Sequence, residues 1–158
     1  MLRLEDAMIV TYDSSVDGAG AARPILPRRP FGADTSVRFS MRAMILAAGR
    51  GARMEALTAA VPKPLLEVGG RSLIVHTIER LKLAGINDIV INYAYRGQQI
   101  VSALGDGTGL GVSISYAPEP EGALDTGGGI YAALPLLGTK PFVVVNADIW
   151  TDFPFARL

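Results

Sequence analysis

Residues Met44 to Leu66 read MILAAGRGARMEALTAAVPKPLL. The stretch opens as an apolar strand, Met44-Ile45-Leu46-Ala47, and breaks at Ala48-Gly49 into a glycine-rich turn. Arg53 follows, and after it comes Lys63, held between Pro62 and Pro64. Glycines let backbone N–H groups approach a phosphate or a base with no Cβ in the way. Flanking prolines restrict the backbone of Lys63, so its ammonium can be placed in advance. A buried strand, an open-backbone loop and two cations predict a polyphosphate site.

The composition narrows the classes around that site. At 158 residues, 49% of them hydrophobic, the chain can bury a core of its own. Its 15 basic and 15 acidic residues cancel, which argues against a general nucleic-acid or membrane-surface binder. The absence of cysteine excludes disulfides, thiolate metal sites and cysteine nucleophiles, and a single histidine excludes a multi-histidine metal site. No apolar run is long enough for a membrane span, and the acidic residues in MLRLEDAMIV are wrong for a signal peptide. A cytoplasmic protein is the expectation.

Residues 1–40 differ from the rest. They are small, polar and punctuated by Pro24, Pro27 and Pro30, so this segment is expected to be disordered or an upstream extension. Any strand in Met8-Ile9-Val10-Thr11 would be isolated, and Met41 would make a natural start. From Met41 the pattern alternates between strand and helix. Ala43–Ala47, Asp88–Asn92, Val112–Tyr116 and Phe142–Val145 are predicted strands. Ser72 is placed to cap a helix running to Gly85, with Leu73, Ile74, Thr77, Ile78 and Leu81 on its buried face. Gln98–Leu104 and Thr126–Leu137 are further predicted helices, and a new element begins after Trp150.

Alternating strands and helices imply right-handed crossovers and a mainly parallel sheet in an α/β, three-layer αβα sandwich. Ligands on such sheets bind beyond the carboxyl ends of the strands. Three loops should therefore converge on one rim: the glycine loop, residues 118–127, and Asn146-Ala147-Asp148. Within them, Asp125 can read either as a nucleoside contact or as an N-cap for the following helix. Glu119 and Glu121 read as solvated loop charges, with an approach to the sugar as the alternative, while His76 reads as a packed or surface histidine and Tyr93 and Tyr95 as packing residues near the rim.

Other phosphate loops fit poorly. A Walker A loop needs a GK[ST] ending, and none follows Gly49. A dinucleotide fingerprint needs a third glycine where Met54 stands, and an acid at the end of the second strand, where Asn92 stands. Instead LAAGRGARM, then LT and VPKPLL, resemble the opening motif of sugar-1-phosphate nucleotidylyltransferases. INDIVINYAYRGQQI, LDTGGGIYAALPLLG and PFVVVNADIWTDF further resemble the N-acetylmuramate-1-phosphate uridylyltransferases of bacterial cell-wall recycling. The likeness covers Met41 to Leu158.

The resemblance implies a Rossmann-like nucleotidyltransferase fold and a transfer of a nucleoside monophosphate from UTP to a sugar 1-phosphate, with pyrophosphate leaving. It implies that Ala48, Gly49, Gly51 and Ala52 present backbone to the nucleotide. Arg53 and Lys63 would neutralise phosphates, and Asp125, Thr126 and Gly127 would border the nucleoside. Asn146 would face the sugar, and Asp148 would hold a catalytic Mg²⁺. The chemistry agrees, because joining two polyanions needs cations and a hard metal but no protein nucleophile. Ala56 stands where the family often has proline, which should loosen the loop without removing a ligand. A second acidic metal ligand and much of the acceptor-sugar pocket are expected from sequence beyond Leu158, so the nucleotidyltransferase fold is expected to be incomplete here. Mannose 1-phosphate with GTP is the rival substrate pair, and a nucleotide-binding module without catalysis is the rival class.

Overall fold

The computed structural model describes residues 10–12, 41–49, 58, 60–120 and 124–157. Seven strands are present among them: β1 (Val10–Tyr12), β2 (Arg42–Leu46), β3 (Glu67–Val68), β4 (Arg71–Ser72), β5 (Asp88–Tyr93), β6 (Ser113–Pro118) and β7 (Phe142–Asn146). The helices are α1 (Leu73–Leu83), α2 (Gly97–Leu104) and α3 (Asp125–Leu137). Strand β3 pairs only with β4, and the other five form one sheet in the order β1-β7-β2-β5-β6. Strands β7, β2, β5 and β6 run parallel, as predicted.

This order creates a reversal. The chain steps from β2 outward to β5 and β6, then returns across the sheet to β7 on the other side of β2. Right-handed crossovers in opposite directions put their helices on opposite faces. Helices α1 and α2 accordingly pack on one face, where Ile74, Ile78, Leu81, Ile100 and Leu104 cover Ala43, Ile45, Ile89 and Ile91. Helix α3 covers the other, with Ile130, Ala133 and Leu137 against Met44, Val90, Phe142 and Val144. Successive residues of β2 and β7 thus feed different cores, which is why these strands read as continuous apolar runs. The result is the expected three-layer α/β sandwich.

Local chemistry sets the element ends. Helix α1 stops in a Schellman turn: Gly85 has φ +81°, its N–H bonds Lys82 O at 2.9 Å, and Ile86 N–H bonds Leu81 O at 3.0 Å. Ser72 occupies the N-cap position but makes no side-chain cap hydrogen bond. It belongs to β4 instead, and the carbonyl of Leu66 accepts from the Leu73 N–H at 3.0 Å. The β3–β4 hairpin was not foreseen. Its two-residue turn is Gly69-Gly70, both at positive φ, a pairing that tight hairpins favour.

One expectation about the N-terminal segment fails. Strand β1 is not isolated: Val10, Thr11 and Tyr12 pair antiparallel with Val144, Val143 and Phe142. An exposed β7 edge offers unpaired N–H and C=O groups, and β1 satisfies them whatever its own side chains contribute. The remainder of residues 1–40 lies outside the described residues.

Candidate functional site

Strands β2 and β7 lie side by side, with Leu46 opposite Asn146 and the Ala147 N–H bonded to Leu46 O at 3.0 Å. Their neighbouring carboxyl ends mark the point where the strand order reverses. A crevice is expected at such a switch point because loops leave it in opposite directions. A cavity of about 300 Å³ opens there, lined by Ala48, Gly49, Lys63, Asp125, Thr126, Asn146 and Asp148 among others.

Lys63 reaches the cavity from a rigid turn. Residues Lys63–Leu65 form one turn of 3₁₀ helix, with the Leu65 N–H bonded to Pro62 O at 2.8 Å and the Leu66 N–H to Lys63 O at 3.0 Å. Pro64 is buried and Leu65 packs on the core. Arg96 and Gln99, at the start of α2, both donate to the carbonyl of Ala60 and tie the approach to this turn down. The Lys63 ammonium donates to Asp148 Oδ2 at 2.7 Å. Asp148 follows Ala147, which is fully buried, so the loop after β7 is anchored beneath the carboxylate. Just beyond, Arg80 stacks on Trp150 with 5.5 Å to the ring centroid, holding this segment against α1.

The third contribution comes from α3. Leu124 is its N-cap and supplies no side-chain hydrogen bond, while Asp125 is the first helical residue at φ +28°. The N-cap alternative for Asp125 is therefore wrong: the residue lies one position too late. The uncapped first-turn N–H groups carry the positive end of the helix dipole toward the cavity lined by Asp125 and Thr126. Gly127 is exposed and is not among the residues lining the cavity. A Cβ added to it would meet nothing within 4 Å. Gly51, Ala52 and Arg53 lie outside the described residues.

Two lining residues were read differently from sequence. Asn92 is 3% exposed and bridges two loops: its Oδ1 accepts from the Ala47 N–H at 2.8 Å, and its Nδ2 donates to Glu119 Oε1 at 2.6 Å. Glu119 is thus a held, half-buried cavity residue rather than a solvated loop charge. An apolar strand ending in asparagine was the available signal, but its partners lie on loops far away in sequence. The packing readings fare better. Tyr93 meets Tyr116 edge-on at 6.0 Å, and His76 Nε2 bonds Val68 O at 2.8 Å, so this histidine braces the hairpin.

Residues 42–158 match the nucleotidyl transferase family. The chain belongs to that family. Among curated relatives, it is 60% identical over 115 residues to an N-acetylmuramate alpha-1-phosphate uridylyltransferase from Neisseria meningitidis, covering 73% of this chain and 50% of that one. It is 41% identical over 121 residues to a mannose-1-phosphate guanyltransferase from Kluyveromyces lactis, covering 75% and 33%. A crystal structure from Bacillus anthracis, provisionally assigned as a glucose-1-phosphate thymidylyltransferase and holding sucrose, superposes with a TM-score of 0.67 at 31% identity, covering 74% and 48%. The chain spans half or less of the length of each of these relatives. As a nucleotidyl transferase domain it shares their Rossmann-like α/β architecture. No helix among the described residues is long and apolar enough to cross a membrane.

Asp148 suits a hard divalent cation in kind. Among the described residues no group of three or more His, Cys, Asp or Glu converges on one point. Mg²⁺ needs no such cage, since it takes one or two carboxylates and completes its shell with water and substrate phosphates. The single Asp148 carboxylate fits a divalent cation that draws most of its shell from elsewhere.

Proposed function

We propose that this chain carries the nucleotide-binding half of an enzyme that transfers UMP from UTP to a sugar 1-phosphate, N-acetylmuramate 1-phosphate, releasing pyrophosphate. The observation that carries this reading is the meeting of Lys63 and Asp148 in a switch-point cavity that also receives the N-terminus of α3. The choice of UTP and N-acetylmuramate 1-phosphate rests on the printed name of the 60% identical Neisseria relative.

In this reading the glycine loop, with Ala48, Gly49, Gly51 and Ala52, offers backbone N–H groups to the nucleotide. Lys63 and Arg53 offset the charge of the triphosphate and of the departing pyrophosphate. Asp125, Thr126 and Gly127 border the nucleoside, and Asn146 faces the sugar. Asp148 is the carboxylate that would hold Mg²⁺. When bound, the cation would neutralise phosphate oxygens and help align attacking and leaving groups. The protein supplies no nucleophile: it positions two polyanions and offsets their repulsion so that the sugar phosphate oxygen can meet the α-phosphorus in line.

The test is pyrophosphate release with UTP, N-acetylmuramate 1-phosphate and Mg²⁺, with mannose 1-phosphate and GTP as the competing pair. Turnover only with the mannose pair would replace the substrate assignment by that of the Kluyveromyces relative. A second reading is nucleotide binding without turnover. Calorimetric binding of UTP with no pyrophosphate release would establish it.

A further inference from the structure

Asn92 stands where a dinucleotide fold would carry an acid for direct contact with a ribose, and its amide is already committed. Ala47 offers an N–H, so the oxygen of Asn92 must face it at 2.8 Å; Glu119 offers a carboxylate, so the nitrogen must face that at 2.6 Å. Each arm thus has a fixed partner, which sets the orientation of the amide. The bridge also depends on α3. A Cβ at Gly129 would collide with Glu119 Oε1 and come within 2.9 Å of Asn92 Nδ2. The glycine therefore makes room for the bridge, and β2, β5, the loop after β6 and α3 all meet at it.

The charge pattern of the cavity gives the bridge a purpose. Lys63 lies on the loop leading to β3, beside the end of β7, while Glu119 lies after β6, at the opposite edge of the sheet. A fixed carboxylate at that edge repels phosphates and accepts from uncharged N–H or O–H donors. We infer that Asn92 is a positioning residue that locks the first amide of the glycine loop and aims Glu119 at the nucleoside part of the nucleotide. This rests on the proposed nucleotide reading of the same cavity.

The two arms can be separated. Asn92→Asp keeps an acceptor for Ala47 but sets a second carboxylate against Glu119. Adding Glu119→Gln supplies an amide donor opposite it and rebuilds the bridge with its polarity reversed. Binding of UTP and of inorganic tripolyphosphate, each with Mg²⁺, is measured by calorimetry, with thermal midpoints alongside. Asn92→Asp should weaken UTP by about tenfold and leave tripolyphosphate within about twofold, because one charge-assisted hydrogen bond is lost at the nucleoside end only. The double variant should recover the midpoint and part of the UTP affinity, because the glutamine oxygen can still accept from the nucleoside but without the carboxylate's charge. Equal weakening of both ligands, or a double variant no better than Asn92→Asp, would overturn the inference. If the wild-type chain binds neither ligand, the proposed function fails. The bridge is then judged by the midpoints alone, and an unrescued double variant refutes it.

Discussion

Replacing Lys63 by methionine separates two contributions of one ammonium group. Lys63 Nζ lies 2.7 Å from Asp148 Oδ2, and the side chains are 27% and 36% exposed. At that separation the attraction in a water-like dielectric is about 1.5 kcal/mol. Side-chain ordering and solvent screening offset most of it, leaving about 0–1 kcal/mol for a pair so open to water. Lys63→Met keeps most of the apolar stem, and the turn's backbone hydrogen bonds do not depend on the ammonium. The melting temperature should fall by about 5 °C at most. Binding should respond more strongly. The triphosphate loses a charge-assisted hydrogen bond, and Asp148 is left with uncompensated charge facing a polyanion. Together these predict a loss of about 3 kcal/mol, or about 100-fold in Kd for UTP. Calorimetry with UTP and Mg²⁺, paired with thermal melts, measures both. A large drop in melting temperature with unchanged affinity would refute the reasoning, because Lys63 would then be a structural cation.

Other positions offer independent tests. Gly127→Ala should raise the melting temperature slightly, since alanine is the better helix former and the added Cβ meets nothing within 4 Å, yet should weaken UTP binding by obstructing the nucleotide's approach to this backbone. Gly97→Ala should be far more damaging: its Cβ would collide with the Tyr93 ring, costing about 1–3 kcal/mol in a denaturant melt. Burial raises the Tyr116 phenol above its ordinary value of 10.0, and its hydroxyl donates to Gly105 O at 2.6 Å. The stability from this neutral phenol is complete below pH 10 and is lost as pH rises through the raised value, so Tyr116→Phe should flatten the alkaline limb of a stability profile. Deleting residues 1–40 uncovers the β7 edge paired by β1, and should lower the melting temperature or promote self-association in light scattering.

Sequence periodicity reported faithfully on what is local. The apolar run at Ala43–Ala47, the helix-bearing face of Ile74, Ile78 and Leu81, and the glycine stop at Gly85 all reflect interactions within a few residues. Their elements could be read in order, with ends moved by a residue or two. Lys63 and Asp148 could likewise be singled out, because a lysine between prolines and an aspartate after an apolar strand are both local features. Where local signals competed, the reading went astray. Ser72 could cap a helix or join a hairpin, and the Gly69-Gly70 turn together with Leu66 decided for the hairpin.

The sequence alone thus determined an alternating α/β chain with a glycine-rich loop, a lysine between prolines and an aspartate at a strand end. Only the tertiary structure decided that β7 lies beside β2, and so that Lys63 and Asp148 meet although 85 positions separate them. It alone turned Asn92 from a missing acid into a buried bridge between Ala47 and Glu119, and gave β1 a partner. The physical reason is one of range. Periodicity records which face of an element seeks the core, but strand order and buried polar pairing depend on partners that come together only when the whole sheet has assembled.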